Sequence, residues 1–182
     1  MGSFTLGIPE SLKELRAGYR VFIETGTWKG GTAEWAVEEF DRVYSIEGYR
    51  KRFEKTAAQL AGKYSNLTLI YGDSRVELRR LLGAIIEPAM FWLDAHWCGE
   101  GQHDAALLGD ECPLREELDA INNHPFAGQH LILIDDARLF IDGPPPPHDP
   151  KQWPGITEVT RALARFPREI WMEQDVIVAR PK

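Results

Sequence analysis

Residues 21–32 read Val-Phe-Ile-Glu-Thr-Gly-Thr-Trp-Lys-Gly-Gly-Thr, and this stretch decides the fold. An apolar run ends in an acid, a glycine-rich turn follows, and an amphipathic segment begins after the turn. This order predicts a strand, a loop and a helix, with a ligand site at the carboxyl end of the strand. The next apolar run ends in Glu47, where a ribose-binding carboxylate usually stands in such units. Together the two acids and the glycines indicate an enzyme that binds a small-molecule cofactor.

Strand and helix patterns alternate along the rest of the chain. Strands are predicted at 20–24, 42–47, 67–71, 89–93, 131–134, 169–172 and 176–179. Helices are predicted at 32–40, 50–62, 76–82, from 113 onward and at 156–166. The pattern predicts a Rossmann-like, doubly wound and mostly parallel seven-stranded sheet, in which a C-terminal hairpin adds one antiparallel strand. The proline-rich stretch 143–150 is expected to be extended, either as a rigid connector or as a wall of a substrate pocket.

Length and charge narrow the class of protein. The 182 residues predict a single domain over 1–182, and the net charge of −7 argues against a nucleic-acid partner. No stretch has the order of a signal peptide, and no apolar run is long enough to span a membrane. Cys98 and Cys112 are too few for a secreted disulfide scaffold. We therefore expect a cytoplasmic protein without a membrane partner.

Acidic residues end five successive predicted strands. They are Glu24, Glu47, Asp73, Asp94 and the pair Asp135–Asp136. Ligands of doubly wound sheets bind beyond the carboxyl ends of the strands, so these acids are expected to converge on one crevice. Any single acid in such a position can instead form a turn or cap a helix, an explanation that weakens when all five are considered together.

The glycine loop does not fit a dinucleotide. The dinucleotide pattern requires a second glycine where this chain has Trp28, and a side chain there hinders the approach of a pyrophosphate. S-adenosylmethionine has no phosphate, yet it still requires a tight turn and carboxylates for its ribose hydroxyls and its ammonium group. The loop is therefore better suited to S-adenosylmethionine.

Three motifs resemble the cofactor-binding motifs of class I S-adenosylmethionine-dependent methyltransferases. They are Glu24-x-Gly26-x-x-x-Gly30, Glu47 after the second strand, and Gly72-Asp73-Ser74 after the third. The resemblance implies that Glu24 and Gly26 lie near the methionine end of the cofactor, that Glu47 binds ribose, and that Asp73 and Ser74 flank adenine. The full set of predicted cofactor-binding residues is Glu24, Gly26, Thr27, Gly30, Thr32, Glu47, Asp73, Ser74 and Asp94.

Two further stretches, 91–97 and 131–136, resemble the metal-binding strand ends of magnesium-dependent O-methyltransferases of the catechol O-methyltransferase type. By this resemblance Asp94, Asp135 and Asp136 are expected to hold one divalent cation, and oxygen ligands suit Mg²⁺. The expected reaction is methyl transfer to a hydroxyl of a small molecule, with Asp94 and His96 as catalytic residues. Two departures from the family are Ala95, which is inserted, and Cys98, which stands where the usual lysine base is found.

Several alternatives stay open at this stage. One alternative is a nicotinamide-dependent Rossmann oxidoreductase. Trp28 in the glycine loop and the lack of a Tyr-x-x-x-Lys pair argue against it. A cofactor-binding module without catalysis is permitted by the missing lysine. A zinc site would use His96, Cys98, His103 and Cys112, whose spacing matches no standard pattern. The segments 97–111 and 144–153 are expected to form the substrate mouth, while the acceptor and the oligomeric state stay open.

Overall fold

A central sheet of seven strands organises the protein. The computed structural model describes residues 7–60, 62–96 and 110–182. The strands are β1 (Val21–Thr25), β2 (Arg42–Glu47), β3 (Leu67–Tyr71), β4 (Met90–Leu93), β5 (Leu131–Ile134), β6 (Arg168–Glu173) and β7 (Val176–Pro181). The α-helices are α1 (Glu10–Lys13), α2 (Gly31–Glu39), α3 (Arg50–Leu60), α4 (Ser74–Leu82), α5 (Leu114–Asn122), α6 (Ala137–Ile141) and α7 (Ile156–Leu163).

The strand order is β3-β2-β1-β4-β5-β7-β6. Strands β1 to β5 pair in parallel, and β7 is antiparallel to both of its neighbours, β5 and β6. The order reverses between β1 and β4, and the crevice outside such a reversal is where ligands bind in open α/β sheets. The predicted fold class is therefore confirmed, including the antiparallel strand from the C-terminal hairpin.

The alternation of side chains along β1 produces a core on each face of the sheet. Val21 and Ile23 pack on one face with residues of α4, α5 and α7, whereas Phe22 packs on the other face with residues of α1 and α2. Successive side chains of a strand point to opposite faces, so a central strand with helices on both sides is apolar throughout. This packing holds the carboxyl ends of β1, β2 and β4 in fixed relative positions.

The sequence patterns placed most elements within one or two residues of their observed bounds, but two short helices were not predicted. These are α1 and α6. Helix α6 begins directly after Asp136, whose backbone is left-handed at a φ of +56°. Such a short helix has too few residues to display a hydrophobic period. Among the described residues, no helix is long and apolar enough to cross a membrane.

Candidate functional site

Gly26 allows the loop after β1 to pack against the end of β4. Its φ is +87°, and a Cβ atom built on it would lie 2.2 Å from the carbonyl oxygen of Asp94. Its N–H donates a hydrogen bond of 2.8 Å to the carbonyl oxygen of Ile46 in β2. A residue with a side chain would therefore have both an unfavourable φ and a collision with backbone. Gly30, at a φ of +84°, lies at the end of the same loop and is the N-cap residue of α2.

Glu24 is a buried acid at the carboxyl end of β1. Its carboxylate accepts a hydrogen bond from the hydroxyl of Ser45 on the neighbouring strand, and Ser45 Oγ lies 2.7 Å from Thr27 Oγ1. Burial raises the pKa of Glu24 to about 8, and the nearby acids Asp94 and Glu47 contribute in the same direction. The hydroxyls of Ser45 and Thr32 oppose this rise in pKa. The predicted residues Glu24, Thr27 and Thr32 are thus brought together, and Ser45 joins them.

Glu47 braces the glycine loop from the end of β2. One carboxylate oxygen accepts a hydrogen bond from the N–H of Trp28, and the other accepts one from the N–H of Tyr49, each at 2.9 Å. Burial raises the pKa of Glu47, and these two hydrogen bonds oppose the rise. Each oxygen of a carboxylate has two lone pairs, so Glu47 retains acceptor capacity for a ligand hydroxyl.

Asp73 is already engaged by protein groups. It caps α4 by accepting a hydrogen bond of 3.0 Å from the N–H of Arg75. Both of its carboxylate oxygens also lie within 3.1 Å of Arg75 Nε. The helix-cap explanation that the sequence left open therefore applies to Asp73. The next residue, Ser74, is buried at the first position of α4.

Asp94, His96 and Asp136 form a group that can hold a metal ion. One ligand atom from each residue lies within 4.8 Å of the other two. His96 Nε2 lies 2.7 Å from Asp136 Oδ2, and His96 Nδ1 lies 3.8 Å from Asp94 Oδ1. Asp135, which the sequence predicts as the third ligand, is not in this group of described side chains. Its Oδ1 instead accepts a hydrogen bond of 2.8 Å from the N–H of Asp136.

The charges of these residues perturb one another. Burial raises the pKa of Asp94, and the carboxylates of Asp135 and Asp136 raise it further. Burial and Asp136 raise the pKa of Asp135 to about 6. The pKa of Asp136 is lowered, because hydrogen bonds and charge from His96 and Arg138 outweigh its burial. The pKa of His96 is raised, because the surrounding carboxylates outweigh its burial. A cation at this place would therefore relieve repulsion between carboxylates.

Segment 144–153 lies beside this acidic group at its last residue, Trp153. The ring centroid of Trp153 is 5.3 Å from that of His96. Glu111 fastens the segment, because its Oε2 accepts a hydrogen bond of 2.8 Å from Trp153 Nε1 and one of 3.1 Å from the N–H of Asp149. Glu111, the last residue of segment 97–111, therefore contacts segment 144–153, and the substrate mouth itself stays a prediction. Trp97, Cys98 and His103 lie outside the described residues, so the zinc alternative and the rest of that segment stay predictions.

Three residues near the site were missed by the sequence analysis: Ser45 and Glu117, which are buried, and Glu111, which is partly buried. Ser45 and Glu117 carried a weak signal, since each is a polar residue within an apolar pattern, Ser45 in β2 and Glu117 between Leu114 and Leu118 of α5. Glu117 has only 1% of its surface exposed, and burial raises its pKa to about 7. Glu111 lies just before α5 and had no local signal, because its partners are more than thirty residues away in the chain.

The strand order and the antiparallel β7 define the class I methyltransferase fold, and comparison with solved structures agrees. The SAH-bound methyltransferase PaMTH1 of Podospora anserina has a TM-score of 0.62 at 16% identity, covering 94% of this chain and 75% of that chain. An O-methyltransferase of Bacillus cereus in complex with SAH has a TM-score of 0.62 at 18% identity, covering 96% of this chain and 82% of that chain.

The SAM-bound amino pentose methyltransferase CalS10 of Micromonospora echinaspora has a TM-score of 0.54 at 12% identity, covering 94% of this chain and 89% of that chain. No protein-family model matches the sequence, and neither does any curated protein. At these identities the similarity demonstrates a shared fold.

Proposed function

We propose that this protein is an S-adenosylmethionine-dependent methyltransferase that methylates a hydroxyl of a small molecule with the help of a divalent cation. One observation carries the proposal: the acids Glu24 and Glu47 and the group Asp94, His96 and Asp136 lie at the same edge of one sheet, around Gly26. The relatives that share the fold are named as methyltransferases bound to SAH or SAM, which supports this reading.

The cofactor fits the buried acids. Glu24 is almost completely buried, and the main influences on its pKa are burial, two hydroxyls and two other acids. An ammonium group beside it would supply the missing positive charge, which a buried carboxylate requires to remain ionised. The spare lone pairs of Glu47 suit the ribose hydroxyls, and Gly26 and Gly30 let the backbone turn closely around the methionine portion. Thr27, Thr32, Asp73 and Ser74 complete the proposed set.

A divalent cation fits the second group. Asp94 and Asp136 offer hard oxygen ligands, for which Mg²⁺ and Mn²⁺ are suited, and His96 adds a nitrogen that Mn²⁺ accepts more readily. Asp135 completes the proposed set of metal-site residues, and its carboxylate, which is repelled by that of Asp136, would also be stabilised by the cation. A bound cation of this kind lowers the pKa of a coordinated hydroxyl.

The roles of the side chains follow from their contacts. When the ring is neutral His96 Nε2 donates to Asp136, which leaves one lone pair, on Nδ1, to bind the cation or, where the two carboxylates hold the cation alone, to accept the proton of an acceptor hydroxyl. Asp94 lies between the proposed cofactor site and the proposed metal site. Its backbone touches Gly26, and its carboxylate faces His96. Trp153 provides an aromatic wall for the acceptor and helps to exclude water. The remaining task, holding the acceptor oxygen in line with the methyl group, is one of positioning.

Calorimetry with S-adenosylhomocysteine tests this proposal. We expect the wild type to bind, and Glu47→Ala to bind more weakly by ~1–3 kcal/mol, the range for hydrogen bonds to a charged group. Glu54→Ala, which removes an exposed acid of α3, serves as the control and should bind like the wild type. A folded wild type that binds NADH and not S-adenosylhomocysteine would instead establish the oxidoreductase alternative. Binding without methylation of any hydroxylated acceptor would favour the non-catalytic module.

A further inference from the structure

Glu111 is an acid for which the proposed reaction has no role so far. It lies just before α5, and its carboxylate faces the segment 144–153. Its Oε2 accepts a hydrogen bond of 2.8 Å from Trp153 Nε1, and two of 3.1 Å from His148 Nδ1 and the N–H of Asp149. An ionised carboxylate only accepts, so each of the three nitrogens donates its hydrogen to this oxygen. One side chain therefore holds three successive points of the segment.

The orientation of the Trp153 ring depends on this acid. Trp153 is buried, with 4% of its surface exposed, and its ring packs against those of His96, Phe140 and His148 at centroid distances of 5.3, 5.9 and 5.4 Å. A buried tryptophan N–H requires a hydrogen-bond partner, and Glu111 Oε2 supplies it here. Without that oxygen the ring would have to turn or water would have to enter, because leaving a buried donor unsatisfied is costly.

The His96 side chain is held between Trp153 and the acids of the proposed metal site. Its Nε2 lies 2.7 Å from Asp136 Oδ2, and its ring packs directly against that of Trp153 at an interplanar angle of 59°. Only 5% of the side chain is exposed. A movement of the Trp153 ring would therefore change the position of the His96 ring with no residue in between.

We propose that Glu111 is a positioning residue of the proposed metal site. By holding Trp153 Nε1, it fixes the ring against which His96 packs, and so fixes where the His96 nitrogens lie relative to Asp94 and Asp136. This inference rests on the proposed function, in which those three residues hold a divalent cation. Residues that orient metal ligands typically change metal affinity by 10–100-fold, and since Glu111 acts through one intervening ring we expect about tenfold.

Mn²⁺ binding measured by calorimetry, with S-adenosylhomocysteine present and well below the melting temperature, tests the inference. Glu111→Ala should bind Mn²⁺ about tenfold more weakly than the wild type, a factor that corresponds to about 1.4 kcal/mol. Its affinity for S-adenosylhomocysteine should be unchanged, because Glu111 contacts none of the proposed cofactor-binding residues. Glu111→Gln should lose less, since its amide oxygen can still accept the hydrogen of Trp153 Nε1.

Two further variants separate a positioning role from a structural one. Trp153→Phe keeps a ring beside His96 and removes the N–H, so it should weaken Mn²⁺ binding by a similar factor. The double variant with Glu111→Ala should lose no more than either single variant, because both remove the same hydrogen bond. Asn122→Ala, which removes a hydrogen bond between α5 and α7, is the control. It should lower the melting temperature and keep the Mn²⁺ affinity.

Each outcome decides the matter. A Glu111→Ala protein that melts earlier and binds Mn²⁺ like the wild type overturns the inference, because Glu111 then only fastens the segment. Additive losses in the double variant overturn the route through Trp153 in favour of His148 or Asp149. Where Glu111→Ala does not fold, unchanged Mn²⁺ affinity in both Glu111→Gln and Trp153→Phe overturns it equally. A wild type that binds S-adenosylhomocysteine and no cation instead contradicts the metal site of the proposed function, and the inference with it.

Discussion

Replacing Gly26 by alanine tests how closely the loop after β1 and the end of β4 are packed. The new Cβ would lie 2.2 Å from the carbonyl oxygen of Asp94 and 2.7 Å from its carbonyl carbon. These are backbone atoms, so no change of rotamer can relieve the contact. The loop must move away from β4, and the proposed cofactor site would be distorted with it.

Gly18 provides a matched control. Its φ of +93° is close to the +87° of Gly26, but nothing lies within 4 Å of a Cβ built on it. Gly18→Ala therefore carries only the backbone penalty, roughly 1–2 kcal/mol. Gly26→Ala carries the same penalty and in addition an overpacking cost of about 1–3 kcal/mol. For a chain of this size 1 kcal/mol shifts the melting temperature by roughly 2–4 °C.

Thermal unfolding of the two variants gives the comparison, and calorimetry with S-adenosylhomocysteine gives the functional readout. We expect Gly26→Ala to melt several degrees below Gly18→Ala and to lose most of its cofactor affinity. Gly18→Ala should bind the cofactor like the wild type. Equal melting temperatures and equal affinities for the two variants would show that the contact with Asp94 is not a constraint, and the account of this loop would be wrong.

Two further predictions concern the acidic group and the buried histidines. With cofactor present, millimolar Mg²⁺ or Mn²⁺ should raise the melting temperature, by about 2.7 kcal/mol of stabilisation at a hundredfold excess over Kd; Asp94→Asn should lose this gain, Asp119→Asn on the exposed side of α5 should keep it, and an unchanged wild type would argue against the site. His130 Nδ1 accepts a hydrogen bond from the N–H of Ala89, and burial lowers the pKa of His130 to about 3. The unfolded chain therefore binds this proton first, near pH 6.5, so the stabilising contribution of neutral His130 is complete above pH 6.5 and is lost as the pH falls toward 3. Urea unfolding at pH 7 and pH 5 should show a smaller loss of stability in His130→Gln than in the wild type, by about 1.4 kcal/mol per pH unit; parallel losses would refute this assignment.

Local sequence patterns determined the class of fold and the identity of most acids in the site. Apolar runs and helical spacing are properties of short segments, and both faces of a central parallel sheet are buried, so the strands were recognisable one at a time. Because parallel strands end at the same edge, Glu24, Glu47 and Asp94 could be assigned to one crevice before any contact was known. The resemblance to methyltransferase motifs then suggested the cofactor.

Only the tertiary structure decided which groups meet. The left-handed backbone at Asp136 takes the chain out of β5, and it is Asp136 rather than Asp135 that contacts His96. Local sequence patterns cannot tell which of two adjacent aspartates contacts His96, because this depends on the backbone conformation at Asp136. The position of Asp73 as a helix cap likewise depended on the backbone that follows it.

Contacts between residues that are far apart in the chain were also beyond local sequence patterns, as is seen for Ser45, Glu111 and Glu117. Their partners lie on other elements: Glu24 for Ser45, Trp153 for Glu111, and Thr25 and Ser74 for Glu117. The sequence by itself determined the elements and the residue types at their ends, since both depend on local periodicity and turn chemistry. The structure decided the hydrogen bonds and charges within the site, since these depend on how distant segments pack against one another.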